Sequence, residues 1–332
     1  MKESANPNSE YENQKLRPGD IILFKAPSPN DIVKLSMSVR LIMGGQMLSS
    51  AFGRSKGGHY DTTHTSICSG YDEEGNLLIT HFTGAKNGSE TVKLESFMAQ
   101  QDRSYLIFSP KDPHKRDEIV AETLKQEYTT QRYSYIGTLL SIFKRKGVVA
   151  KDKREEDTFC SAFVAKVLRF VGIDLLLGRQ CTPKALEASL RKSDQFSTGY
   201  YLGKGGADEI INKVNIEVSR LEKGNTDSIK KAHLLKLKIK EITTNPSFQT
   251  LPEVGKAKLI LQATLPIFAV HRNKGPSLFK PSSYRNIKGL AVRKGFSTTE
   301  LLDQIQKLKP IYKPNPSETT LKPQKKSRSR SF

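Results

Sequence analysis

The sequence predicts an α+β protein: a small antiparallel sheet or barrel packed on helices, then a helical and strongly basic region. Three observations predict it. Short apolar runs bounded by Pro, Gly and Asp dominate residues 17–113, as strands separated by turns do. Helical spacing of apolar residues takes over from about Lys115. The charge balance then shifts sharply after Gly203.

The elements follow in order. Residues 1–16 are polar and read as disordered. Pro18-Gly19 forms a turn, and the apolar run Ile21 to Phe24, closed by Pro27, reads as a buried strand. Asn30-Asp31 caps a helix running to about Met43, and Gly44-Gly45 stop it. Residues 49–63 read as a Gly/Ser/Thr-rich loop. Residues 63–69 alternate as a strand, residues 72–76 form a hairpin turn, and residues 77–82 return. Residues 90–94 and 104–109 suggest a further strand pair. A helix is predicted over 115–128, and a second apolar stretch covers 136–143. In TFCSAFVAKVLRFVG, Thr158 is the candidate N-cap, residues 162–171 form the helical body, and Gly172 is the stop. Thr182-Pro183 opens a short helix, 184–190. Further helices are predicted at 207–222, 227–243, 254–264 and 297–308.

Domain boundaries follow from this pattern: 1–16 disordered, 17–203 a catalytic-sized α+β domain, 204–308 a basic helical region, and 309–332 a solvated tail. The formal net charge is +20, and 26 of the 54 basic residues but only 10 of the 34 acidic ones follow Gly203. That surplus favours an anionic partner, either a membrane surface or an acidic protein. This half has no zinc-finger spacing and few interleaved aromatics, which argues against nucleic acid. No run approaches the roughly 20 apolar residues that span a bilayer, and the N-terminus lacks the apolar core of a secretory signal. A cytoplasmic start is expected, with delivery into a host cell or peripheral membrane association left open. Three scattered cysteines, Cys68, Cys160 and Cys181, make no disulfide framework and no CxxC metal pair.

The chemistry centres on Cys160. It stands at the predicted start of a helix, where free N–H groups and the helix dipole favour a thiolate and should lower its pKa. A thiolate needs a base, usually a histidine held by a third polar group. His64 lies in a predicted strand, and His81 lies on the strand that returns beside it. His59 is a local competitor in a Gly-rich loop. Tyr133 and Tyr135 precede the cysteine helix, and a Tyr135 hydroxyl could serve an oxyanion or pack as an aromatic.

PGDIILF (18–24), THTSIC (63–68), LLITHF (77–82) and TFCSAFVAKVL (158–168) occur in that order. The set resembles the permuted branch of the NlpC-type papain-like superfamily, which includes YiiX-like hydrolases and the lecithin:retinol acyltransferase group. The resemblance covers residues 17–192. His64-Thr65-Ser66-Ile67 departs from the family's usual His-Val-Gly-Ile. The resemblance implies a permuted papain-like fold with Cys160 as nucleophile, His64 as base and His81 as the orienting third residue. It implies an acyl-enzyme formed on an amide, ester or thioester of a lipid, peptide or protein, with no metal and no cofactor. The alternative is a non-catalytic papain-like module joined to a polybasic membrane- or partner-binding region.

Overall fold

The computed structural model describes residues 16–25, 62–83, 88–100, 104–133, 157–175, 182–269 and 282–296. Six strands form one antiparallel sheet: β1 (Ile21–Lys25), β2 (Thr62–Tyr71), β3 (Leu77–Thr83), β4 (Gly88–Lys93), β5 (Tyr105–Pro110) and β8 (Phe196–Tyr201), in the order β4-β3-β2-β1-β5-β8. A separate parallel pair joins β6 (Arg132–Tyr133) to β7 (Asp157–Thr158). The helices of this part are α1 (Leu94–Gln100), α2 (Pro113–Thr123), α3 (Cys160–Phe170) and α4 (Pro183–Lys192). Beyond the sheet come α5 (Gly206–Leu221), α6 (Thr226–Thr243), α7 (Pro246–Gln249), α8 (Glu253–Ala269) and α9 (Ser282–Arg293).

The sheet is covered on both faces, which is why β1 reads as an unbroken apolar run rather than an alternating one. Successive side chains still point to opposite sides. Ile21, Leu23, Ile67, Phe82, Leu106 and Phe108 form one side and pack with Ile119 of α2, Phe163 and Val167 of α3, and Leu186 of α4. Ile22, Phe24, Cys68, Ile79, Tyr105 and Ile107 form the other, against Leu94, Phe97 and Met98 of α1. The first cluster continues without a break through Phe196 and Tyr200 of β8 to Ile210, Leu235, Leu261 and Ile287 of the later helices.

Several boundaries differ from those the sequence suggests. Thr158 belongs to β7, and the N-cap of α3 is Phe159, whose side chain caps nothing; Cys160 is the first helical residue. Leu94 opens α1 instead of ending a strand. The helix expected over 115–128 ends at Thr123 and gives way to a 3-10 turn at Gln126–Tyr128. Strand β8 and helix α9 are not anticipated, and α8 runs past Pro266 to Ala269. The predicted helices at 31–43 and 297–308, the apolar stretch 136–143 and both predicted disordered ends lie outside the described residues, apart from Leu16 itself.

Two buried polar devices fix how β1 enters and leaves the sheet. At its start, Asp20 is fully buried and its carboxylate accepts from Arg17 N at 2.8 Å, with Arg116 Nη1 at 3.4 Å. Gly19 N donates to Cys68 O and Cys68 N to Asp20 O, both at 2.8 Å. At its end, the Lys25 ammonium is fully buried and meets Glu187 Oε2 of α4 at 3.1 Å. Thr62 donates to the same carboxylate at 2.5 Å, and Arg191 holds the other oxygen at 3.0 Å. Buried charge is tolerated only when paired in this way, so the network ties α4 to the end of β1 and the start of β2.

Gly19 has φ +85°, and a Cβ there would lie 2.7 Å from the Arg116 backbone. Gly75, in the β2–β3 turn, has φ +80° but open space around it. Gly19→Ala should therefore destabilise the protein by on the order of 2 kcal/mol or more, combining left-handed strain with a backbone clash. Gly75→Ala carries the strain alone and should cost distinctly less. Denaturant unfolding of the two variants checks the difference; equal losses would mean that the close approach to Arg116 contributes nothing.

Candidate active site

The site is built on β2, β3, β4 and the first turn of α3. The parallel β6–β7 pair delivers the chain to Phe159, whose extended backbone (φ −146°, ψ 170°) turns it into α3 at Cys160. The first N–H groups of a helix have no intrahelical acceptor, and here those of Cys160 and Ser161 are turned toward the sulfur. The sulfur reaches β2 at Thr65, whose hydroxyl and backbone lie beside it.

Cys160 is only 2% exposed. Burial raises its pKa, and the Thr65, Ser161 and Cys160 contacts offset this only in part. The sequence expectation of a lowered pKa is therefore corrected: desolvation of the thiolate outweighs the helix N-terminus. Cys68, on the opposite side of the sheet, is fully buried and its pKa is pushed up to about 12, again by burial. Cys181 and Tyr135 lie outside the described residues, as do His59 and His271. His114 and His233 are exposed on helices, away from this cluster.

His64 and His81 are brought together. His64 Nε2 lies 2.8 Å from His81 Nδ1, with the rings edge to face at 5.0 Å. His81 Nε2 lies 3.2 Å from Glu90 Oε1 on β4, opposite His81 in the strand register. Phe97 of α1 stacks on His64 at 5.8 Å and meets His81 edge-on at 5.2 Å, and Phe24 lies 5.9 Å from His64. Burial lowers the pKa of His81, and Glu90 opposes this.

His81 Nε2 faces Glu90 Oε1 at 3.2 Å but is not aligned with it as a hydrogen-bond donor, and this buried nitrogen has no hydrogen-bond partner among the described residues. In the His64–His81 contact either ring can be the donor, according to tautomer. Glu90, His81 and His64 thus stand in line across β4, β3 and β2, an order in which a carboxylate can stabilise an imidazolium. Glu90 is the member that sequence reading misses. It lies in a plain polar strand, and only its register opposite His81 marks it.

Cys160 and His64 reach the same strand at neighbouring positions. The sequence leads one to expect the sulfur against His64; the structure sets it against Thr65, the next residue. Strand alternation is the reason: Thr65 turns toward α3, whereas His64 turns toward Phe97 and α1. The regular pattern breaks beside His64. Phe24 pairs with His64 but Lys25 pairs with Thr62, so Thr63 is an extra residue in the β2 strand. Bulges of this kind re-aim side chains next to functional sites.

No protein-family model matches the chain, and no curated protein sequence matches it.

A thiol with a raised pKa holds little thiolate at neutral pH, and its thiolate fraction grows about tenfold per pH unit until the pKa is passed. Alkylation of Cys160 should therefore keep climbing from pH 7 to pH 9, while Cys68 stays unmodified over the same range. Peptide-resolved mass spectrometry after timed iodoacetamide treatment checks this. A rate already level at pH 7 would reveal a preformed thiolate and contradict the burial argument.

Proposed function

We propose that the protein is a cysteine-dependent hydrolase or acyltransferase of permuted papain-like type, with Cys160 as nucleophile, His64 as base, and His81 and Glu90 orienting it. The observation that carries this reading is the Glu90–His81–His64 chain, which ends one residue from the point where a helix-initial cysteine meets β2. The mixed sheet-and-helix architecture, the order of the motifs and the His–His pairing on adjacent strands all support the resemblance drawn from the sequence.

The chemistry is acyl transfer through a thioester. Because the resting thiol is neutral, its proton leaves as the sulfur attacks the acyl carbon, and the imidazole of His64 takes it. The Cys160 N–H, which has no intrahelical acceptor at the helix start, donates to the oxygen that becomes negative. The imidazolium returns its proton to the departing amine, alcohol or thiol. Water or a second nucleophile then cleaves the thioester and restores the thiol. His64 and the sulfur stand on opposite faces of β2 in the structure, so the transfer requires the His64 ring to change faces.

A second reading is favoured by two observations: Cys160 is almost fully buried, and its neighbour on β2 is Thr65. On that reading the domain is a non-catalytic papain-like module in which the cysteine packs as a small apolar group.

One experiment separates the two. The full-length protein is treated with an activity probe carrying an electrophilic acyl mimic, beside Cys160→Ala and Glu90→Gln. The catalytic reading expects stoichiometric labelling at Cys160, none in Cys160→Ala, and a loss of about tenfold or more in Glu90→Gln. A wild-type protein that stays unlabelled, or labels equally in Cys160→Ala, supports the non-catalytic module.

A further inference from the structure

We infer that the outer face of α6 is a docking surface for an anionic membrane, on which the helix lies flat. Its inner face is occupied: Ala232, Leu235 and Ile239 are buried in the main core. Asn225 caps its start through Ser228 N at 3.0 Å, so the helix is held as a rigid bar. At 1.5 Å per residue its 18 residues run for about 27 Å.

The outer face has an unusual pairing of features. Ile229 is 48% and Leu237 is 51% exposed. Single exposed aliphatic residues are ordinary. These two, however, lie eight residues apart, about 12 Å along one side of the helix. At 100° per residue, Ile229, Lys230, His233, Lys236, Leu237 and Lys240 share an arc of roughly 120°. All six are exposed. The arc contains no carboxylate. The two acids of α6 lie outside it and face other lysines: Glu241 meets Lys238 at 2.7 Å, and Asp227 acts on Lys231. Lys236 is held by Glu222 at 2.6 Å, whereas Lys230 and Lys240 make no ion pair among the described residues.

This pattern selects the partner. Phosphates of a nucleic acid would use the lysines but leave Ile229 and Leu237 in water. An anionic leaflet uses both: long lysine side chains reach headgroup phosphates and carboxylates while the aliphatic pair enters the boundary with the acyl chains. No helix among the described residues is long and apolar enough to cross a membrane, so the association is peripheral. The region containing α6 also carries most of the chain's positive surplus, which draws it toward a negative surface. This surface is independent of the thiol chemistry proposed above.

The chain contains no tryptophan, so Leu237→Trp creates a single spectroscopic reporter on this face. Full-length protein is mixed with vesicles of phosphatidylcholine containing about one-third phosphatidylserine, and with pure phosphatidylcholine. The expected result is a blue shift of the indole emission, and its quenching by brominated acyl chains, on the anionic vesicles alone. Co-sedimentation of Lys230→Gln/Lys240→Gln should show binding weakened roughly thirty-fold. Ile229→Ser/Leu237→Ser should bind more weakly than wild type even at 0.5 M salt, where charge is screened. Both double variants alter exposed side chains, and unchanged circular dichroism confirms that they fold. Binding without any change at the reporter would place the contact elsewhere, for example on the basic residues after Leu308, and would overturn the inference. Equal binding to neutral vesicles, or binding to RNA but to no vesicle, would overturn it as well.

Discussion

Burial of strand β2 on both faces is the constraint on which the rest of the structure depends. A strand covered on one side only can spend its second face on solvent. Here Ile67 packs with the α3 side and Cys68 with the α1 side, one residue apart. Polar side chains on such a strand are cut off from water, and the Thr63, Thr65, Ser66 and Ser69 hydroxyls are buried with no hydrogen-bond partner among the described residues. Thr62 joins the Lys25–Glu187 pair, Thr65 meets the sulfur, and His64 meets His81. The same alternation that builds two cores therefore divides the candidate chemistry, with the thiol on one side and the imidazole relay on the other. The extra residue at Thr63 is the one place where β2 departs from that rule next to the site.

Desolvation decides the electrostatics of the site more than any single charge. It raises Cys160 in spite of the helix start, raises Cys68 as well, and lowers His81 in spite of Glu90. All three groups are thus biased to their neutral forms. With the thiol and His81 both biased to neutrality, the proposed reaction moves its protons during the acyl step. That distinguishes the proposed mechanism from one built on a standing thiolate–imidazolium pair, and it follows from burial rather than from residue type.

What the sequence reveals is what depends on local pattern. The run Ile21 to Phe24, the hairpin about residues 72–76 and the helix beginning near Cys160 are legible because apolar period and turn residues agree there. The His64–His81 pairing is legible too, since a hairpin of known register brings the two strands together. Strand β8 is not: FSTGYY has small polar residues and a glycine where a strand pattern expects bulk, and it is stabilised by pairing with β5, which lies 88 residues earlier at the Ser109–Ser197 contact. Glu90 and the Lys25–Glu187 pair are hidden for a related reason. Their meaning lies in contacts set by register or by a separation of 162 residues, which no window along the chain contains. The pKa of Cys160 is misjudged from sequence because the helix dipole is visible there and the depth of burial is not.

The central claim is that the sulfur of Cys160 depends on the imidazole of His64 although strand alternation turns their positions apart. The most direct measurement is the second-order alkylation rate at Cys160 in the native protein and in His64→Ala, resolved by peptide mass spectrometry at pH 7. A loss of roughly tenfold or more in His64→Ala, with Cys68 unmodified in both, is the predicted result. Equal rates at Cys160 in the two proteins would show that the histidine relay and the thiol are unconnected, and the account of the site would fail.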